Sequence, residues 1–305
     1  MRRLFTFFFL LTVPILGFAD EIYDLSPEYK PGQRFAYAGE LSIGIDSKTI
    51  SPNEMDMNMK WRVRGDFDVS VAKLDDDGSV DLKVKISQPN LGFSMKGLLP
   101  GGVNFAVDLD TDQEEPMPNE VYEMIQNVVK SLDQEVFTVV LDKNGDLVDI
   151  KDFEAVINNL EARIGSAGCV FLDEKTAVQF LSTFTTYLPG HSVKVGETWI
   201  STHEIMPGYQ ENWKLESAEG NRLVVKNNSE LTGETIQGFI NEVPGKMEEG
   251  SGNVSETVVL DQSTRAIISV NGDASFSGKQ TIAGPEEMKS DIKVDYRARI
   301  VRKGA

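Results

Sequence analysis

The sequence predicts an α+β protein: a curved antiparallel sheet, either a half-barrel or two related meanders, packed on about three amphipathic helices. Two observations carry this. The first and last thirds alternate apolar and polar residues with a period of two, the mark of antiparallel strands with one buried and one wet face. The middle switches to the 3.6-residue period of one-faced helices. Strands with a dry face need a cover, and such helices supply one.

Phe35, Tyr37, Gly39, Leu41, Ile43 and Ile45 alternate with smaller or polar residues and predict a strand over 35–45. Met57, Met59, Trp61, Val63, Gly65, Phe67, Val69 and Val71 predict a second over 57–71, with Asn58, Lys60, Arg62, Arg64, Asp66, Asp68 and Ser70 on its other face. Asp75-Asp76-Asp77-Gly78 makes a hairpin turn, because Asp-Gly tolerates the positive φ it needs. Val80, Leu82, Val84 and Ile86 form the return strand. Phe93 and Met95, then Val103, Phe105, Val107 and Leu109, predict a further hairpin around Pro100-Gly101-Gly102.

Val121, Met124, Ile125, Val128, Val129 and Leu132 share one helical face, with Pro118 in the first turn, and predict a helix over 118–134. A short hairpin over 136–150 turns at Lys143-Asn144-Gly145. Phe153, Val156, Ile157, Leu160 and Ile164 predict a helix over 152–164 capped by Asp152. Val178, Leu181 and Phe184 predict a third over 173–187, capped by Asp173 and stopped by Pro189-Gly190. The last third returns to strands. Its clearest has Ile292, Val294, Tyr296, Ala298 and Ile300 on one face and Lys293, Asp295, Arg297 and Arg299 on the other.

A degenerate repeat runs through this pattern. Lys30-Pro31-Gly32-Gln33-Arg34-Phe35 opens the first strand set and Lys194-Val195-Gly196-Glu197-Thr198-Trp199 the second; Thr138-Val139-Val140-Leu141-Asp142 recurs unchanged as Thr257-Val258-Val259-Leu260-Asp261. The chain divides into a leader over 1–19, a first strand set over 20–115, a helical middle with its hairpin over 116–190, and a second strand set over 191–305, with 20–305 read as one domain.

Residues 1–19 read as a secretory signal peptide: Arg2 and Arg3 form the positive region, Leu4 to Leu16 the apolar one, and Gly17-Phe18-Ala19 the cleavage site. The expectation is an exported chain, periplasmic or extracellular, cut after Ala19. No apolar run reaches the ~20 residues of a membrane-spanning helix. The formal net charge of −18 argues against nucleic acid and anionic membrane surfaces as partners. One cysteine excludes an internal disulfide and any CxxC metal site, and two histidines leave little for general-base chemistry.

No constellation demands a reaction. Asp142-Lys143-Asn144-Gly145-Asp146 opens like a calcium loop, but Leu147 and Phe153 stand where that loop needs Gly and Glu, so a turn is expected. Asp108, Asp110 and Asp112 with Glu114 and Glu115 read as a solvated strand end. Cys169 and His191 are the only possible thiol–imidazole pair; small and apolar neighbours favour a buried Cys169, and an exposed turn is expected for His191. No Gly-x-Ser-x-Gly elbow supports a serine nucleophile. Trp61, Trp199 and Trp213 suit core packing better than a sugar platform. Asn227-Asn228-Ser229 and Asn253-Val254-Ser255 are glycosylation sequons, relevant only in a eukaryotic host. No metal and no cofactor are expected.

Strands opening with Pro-Gly-Gln-x-Phe and Val-Gly-Glu-Thr-Trp, together with the leader and the Val-Leu-Asp turn segments, resemble an uncharacterised family of exported bacterial proteins. That resemblance implies no activity and no catalytic residues. In architecture the meander with its central helices is similar to half-barrel carriers of lipids and lipoproteins, an analogy of fold alone. The function expected is a non-enzymatic carrier of an apolar or lipid-like ligand. The apolar face carrying Phe35, Tyr37, Met57, Met59, Trp61 and Phe67 would receive the ligand. The alternative is an envelope or extracellular module that binds another protein through its sheet surface or an edge strand, with no pocket.

Overall fold

The computed structural model describes residues 21–51, 55–99, 103–110, isolated positions between 123 and 133, then 135–164, 187–202, 210–232, 246–282 and 288–304. The strands are β1 (Ile22–Tyr23), β2 (Arg34–Ser51), β3 (Met55–Leu74), β4 (Val80–Leu99), β5 (Val103–Asp110), β6 (Val136–Leu141) and β7 (Leu147–Lys151). After the helix α1 (Phe153–Ile164) come β8 (Val193–Lys194), β9 (Thr198–Thr202), β10 (Gln210–Glu219), β11 (Arg222–Thr232), β12 (Lys246–Asp261), β13 (Ile267–Ile282) and β14 (Met288–Arg302). Twelve strands form one antiparallel sheet. Its continuous path is β7-β6-β4-β3-β2-β14-β13-β12-β11-β10-β9, and β5 lies alongside the outer half of β4. β1 and β8 make a separate two-stranded ribbon.

The two sequence repeats fold alike. In the first, Gly32 N–H donates to Val71 O (3.2 Å), Gln33 N–H to Lys30 O (3.0 Å) and Val71 N–H to Gln33 O (2.9 Å). In the second, Gly196 N–H donates to Leu215 O (2.7 Å), Glu197 N–H to Lys194 O (3.0 Å) and Leu215 N–H to Glu197 O (3.1 Å). Gly32 and Gly196 take the positive φ, 76° and 89°, that the turn requires. The fourth residue of each turn closes it from its side chain: Lys30 N–H donates to Gln33 Oε1 and Lys194 N–H to Glu197 Oε2. The second shared segment also matches in place. Leu141 pairs with Val80, and Leu260 pairs with Leu223. Thus β2-β3-β4-β6-β7 corresponds to β9-β10-β11-β12-β13. β14 sits between β2 and β13 and joins the units head to tail.

Each unit has its own core on the same face of the sheet. Val71, Val80, Leu82, Val84, Phe137, Val139, Leu141, Ile150 and Phe153 make the first. The second holds Trp199, Trp213, Leu215, Leu223, Val225, Val258, Leu260 and Val270 with Leu25, Tyr187, Leu188 and Val193. The segment 21–33 straps the two together. Leu25 is buried in the second core, while Tyr29 packs against the first. Arg265 Nε donates to Asp24 O (2.7 Å), Glu28 N–H to Thr264 O (3.1 Å), and Pro27 lies against Gly145 in the β6–β7 turn.

Among the described residues the fold is therefore mostly β and not the α+β arrangement expected, and the one helix described over its full length is the 12-residue α1. β2, β3 and β4 run to 18, 20 and 20 residues, several times an ordinary strand. No 12-residue helix can cover so much sheet, and α1 packs only on the first core, where the ring of Phe153 meets Phe137 edge-on at 5.7 Å. The helix expected over 152–164 is present. Only isolated positions of 118–134 are described, and 173–186 lies outside the described residues. The stretches 80–86 and 93–95, read as separate, are one strand. A register shift opposite Arg64–Asp66, with Gln88 at φ 51° beside Pro89, lets β4 continue through a bulge.

The turn at Asp261 carries a testable charge. Partial burial pushes its carboxyl upward, but hydrogen bonds from Ser263 and Thr264 outweigh that and hold its pKa at about 2. Arg302 also reaches it, at 3.4 Å. A depressed carboxyl stabilises above its unfolded pKa and loses that contribution as pH falls toward 2. Asp261→Asn is expected to cost about 2 kcal/mol in urea denaturation at pH 7, and the gap from wild type should shrink to roughly a third by about pH 2.5.

Candidate functional site

Directly paired residues of neighbouring strands share a face. Leu41 pairs with Val63 and Ala298, Ile43 with Trp61 and Tyr296, Ile45 with Met59 and Val294, and Ser47 with Met57 and Ile292. The same face continues outward to Phe93 and Met95 on β4, and to Ala274 and Phe276 on β13 and Val254 on β12. An apolar band thus crosses six strands beyond the two cores. At about 4.8 Å between strands and 3.3 Å per residue, it measures roughly 25 Å in each direction. Most of its side chains are half-buried. Among the described elements, only neighbouring strands make extensive contact with β2, β3, β13 and β14.

All six residues singled out in the sequence lie on this face, at two levels. Met57, Met59 and Trp61 belong to the band. Trp61 stacks tilted on Phe93 at 4.3 Å, and its indole N–H donates to Met59 Sδ. Phe35, Tyr37 and Phe67 lie nearer the cores. Phe67 sets its ring over Gly39, where a Cβ would come within 2.7 Å of Cε2. Burial pushes the Tyr37 hydroxyl up to about 12, with Arg302 opposing.

A hollow of about 980 Å³ opens elsewhere, at the end of the sheet where β2 meets β3. Asp46, Lys48, Asp56, Lys96, Lys279 and Lys293 line it, and the register puts them on the opposite, charged face. Of the six singled-out residues only Met57 reaches it. Its charges are solvated and mixed in sign, so they select no ligand.

The sequence reading missed a buried polar cluster at the border of the second core. Asn227 on β11 pairs directly with Trp213 on β10 and Glu256 on β12. Asn227 is 0% exposed, Glu211 3%, Ser229 3% and Glu256 9%. Trp213 Nε1–H donates to Glu211 Oε2 (2.8 Å), Asn212 N–H to Ser229 Oγ (2.8 Å), and Ser229 Oγ–H to Asn227 Oδ1. Among the described residues, Asn227 Nδ2 and Trp199 Nε1 find no acceptor. Burial, and then the charge of Glu211, push the Glu256 carboxyl well above its ordinary range. The signal was present in the sequence: Glu256 and Asn227 occupy apolar register positions, between Val254 and Val258 and between Val225 and Leu231. The burial of Asn227 also closes the first sequon to glycosylation.

The remaining candidates do not assemble. His191 is exposed and bonds Pro189 O through Nδ1 (2.7 Å); Cys169 and His203 lie outside the described residues. Trp213 and Trp199 are core residues. Asp142 holds a turn, accepting from the N–H groups of Asn144 and Asp146. Asp112, Glu114 and Glu115 lie outside the described residues. Among the described residues no cluster of three His, Cys, Asp or Glu can hold a metal, and no helix is long and apolar enough to cross a membrane.

Residues 77–268 match the profile of a family of unknown function, DUF6263. The chain belongs to that family. The match begins in the β3–β4 turn and reaches into β13, so it takes in β4 to β12 and leaves out β2 and β3. It agrees with the uncharacterised family that the turn motifs resembled. No curated protein matches the chain. Among solved structures, one of lipovitellin, described under lipid–protein interactions, superposes with a TM-score of 0.42 at 13% identity, over 91% of this chain and 26% of that one. The chain thus spans about a quarter of that protein's length.

The Glu256 carboxyl gives a pH test. With its folded pKa raised, its contribution is fully present below the unfolded value and is lost as pH rises toward the folded one. Glu256→Gln removes that loss. Thermal or urea unfolding is expected to show the variant about 1–3 kcal/mol more stable than wild type at pH 7.5, and the two nearly equal at pH 4.

Proposed function

We propose that the mature chain is an exported, non-enzymatic binder of an apolar or lipid-like molecule, held on the apolar band of β12–β14 and β2–β4. The observation that carries this reading is the band itself. Burying apolar surface stabilises a sheet, yet this apolar face runs well past both cores, at a size that marks interaction sites in soluble proteins. Its composition supports a ligand of variable shape: Met57, Met59 and Met95 are unbranched and adaptable, and Trp61 with Phe93 offers a flat aromatic wall. A leader directing the chain into an aqueous compartment outside a membrane fits the need to carry such molecules.

A second reading is favoured by a different observation. The two ends of the sheet, β7 and β9, are edge strands that expose Val148 and Ile200 at 66% and 59%. Such edges can accept a strand from another protein.

Titration of the purified chain with a fluorescent long-chain fatty acid separates the two. Carriage predicts saturable uptake, quenching or a blue shift of Trp61 emission, and at least fivefold weaker uptake for Trp61→Ala. Val148→Lys and Ile200→Lys should leave uptake unchanged. Absence of uptake by the wild type overturns carriage in favour of the edge-strand reading.

A further inference from the structure

The apolar band ends, on β12, at the buried carboxyl of Glu256. This neighbourhood holds polar groups that meet no partner among the described residues. Asn227 is fully buried, and its Nδ2 meets no acceptor. Two strands from Asn227, the indole N–H of Trp199 meets no acceptor among the described residues either. Donors left unpaired in a core destabilise the fold, a cost that a binding site recovers when its ligand arrives.

The floor beside Glu256 is low. Its direct partner on β13 is Gly272, followed across the sheet by Ala298, with Ala274 one step along the strand. A Cβ on Gly272 would stand 3.6 Å from Glu256 Cγ. Small residues therefore lead from the carboxyl onto the band at Tyr296 and Ile43.

We propose that Glu256 and Asn227 receive the uncharged, hydrogen-bonding head of the apolar ligand, a hydroxyl-bearing head of the long-chain alcohol or acylglycerol class, whose tail lies along the band. The proposal rests on the apolar-band reading. The choice of head follows from the groups present. The charge of Glu211 repels an anionic head such as a phosphate, while the Glu256 carboxyl, held uncharged by its burial, does not attract a cation. The unpaired N–H groups of Asn227 and Trp199 repel a cationic one. A hydroxyl gives the N–H an acceptor and gives the Glu256 carboxyl oxygen a donor at the same time.

The test compares two probes with the same tail, 1-monooleoylglycerol and 1-oleoyl-lysophosphatidic acid, titrated into the full chain with tryptophan fluorescence as readout. Wild type is expected to bind the monoacylglycerol about tenfold more tightly than the phosphate, the scale of one buried hydrogen bond. Glu256→Gln, which still donates and accepts, should stay within about twofold for the monoacylglycerol. Glu256→Met and Asn227→Leu should each weaken it about tenfold and leave the phosphate probe unchanged. Glu256→Met places an apolar chain of similar size in a buried site, so it keeps the test interpretable if Asn227→Leu fails to fold. Equal binding of both probes, unmoved by Glu256→Met, overturns the head site and leaves the band standing. Binding of neither probe by wild type overturns the band reading itself.

Discussion

The pairing of β14 with β2 is the joint on which the architecture depends. It is the strand pairing that links the two repeat units, in a register that runs from Arg302 opposite Tyr37 to Lys289 opposite Ser51. Without it each unit is an open meander with a long unpaired edge, an exposure that folded sheets avoid. With it, the first strand of one unit and the last strand of the other become interior strands of a single sheet. The strap of residues 21–33 reinforces the joint from the apolar side by packing Leu25 into one core and Tyr29 against the other.

The joint also explains where function is expected. Each unit closes its own core near the turns it shares with its counterpart, at Gly32 and Gly196 and at Asp142 and Asp261. The strands nearest the joint are the longest, and they carry the apolar register out of the cores and across the middle of the sheet. The opposite face of the same strands is a lattice of opposite charges, such as Asp273 between Arg297 and Arg299. Such exposed pairs add little stability each but keep that face wet and the two faces distinct. The protein is thus two-sided over its whole span, with polar groups inside the apolar side only at particular places, Glu256 and Asn227 among them.

Much of this was legible in the residues, because period-two alternation is a direct consequence of the pleat. The strands containing 35–45, 57–71 and 292–300, the turns at Asp75–Gly78 and Lys143–Gly145, and the helix beginning at Phe153 all follow from local pattern. The repeat was visible as two short marks, and their common hydrogen bonds make it structural. What stayed hidden is non-local. The continuity of β4 through Gln88 and Pro89 is decided by its partner β3, and the excess of sheet over helix follows from strand length, which alternation understates at bulges. The polar cluster was hidden for another reason. Glu256 and Asn227 look ordinary by type, and only their place in an apolar register marks them as buried.

The central claim is that the apolar band between the cores is a binding surface. Methyl-detected NMR of the full chain with labelled methionine tests it directly, because Met57, Met59 and Met95 lie on the band. On adding 1-monooleoylglycerol, these three methyls are expected to shift together and saturably, while Ile200 and Val148 on the edge strands, labelled in parallel, stay in place. Unmoved Met57, Met59 and Met95 signals at saturating probe, or shifts confined to the edge strands, would contradict the claim.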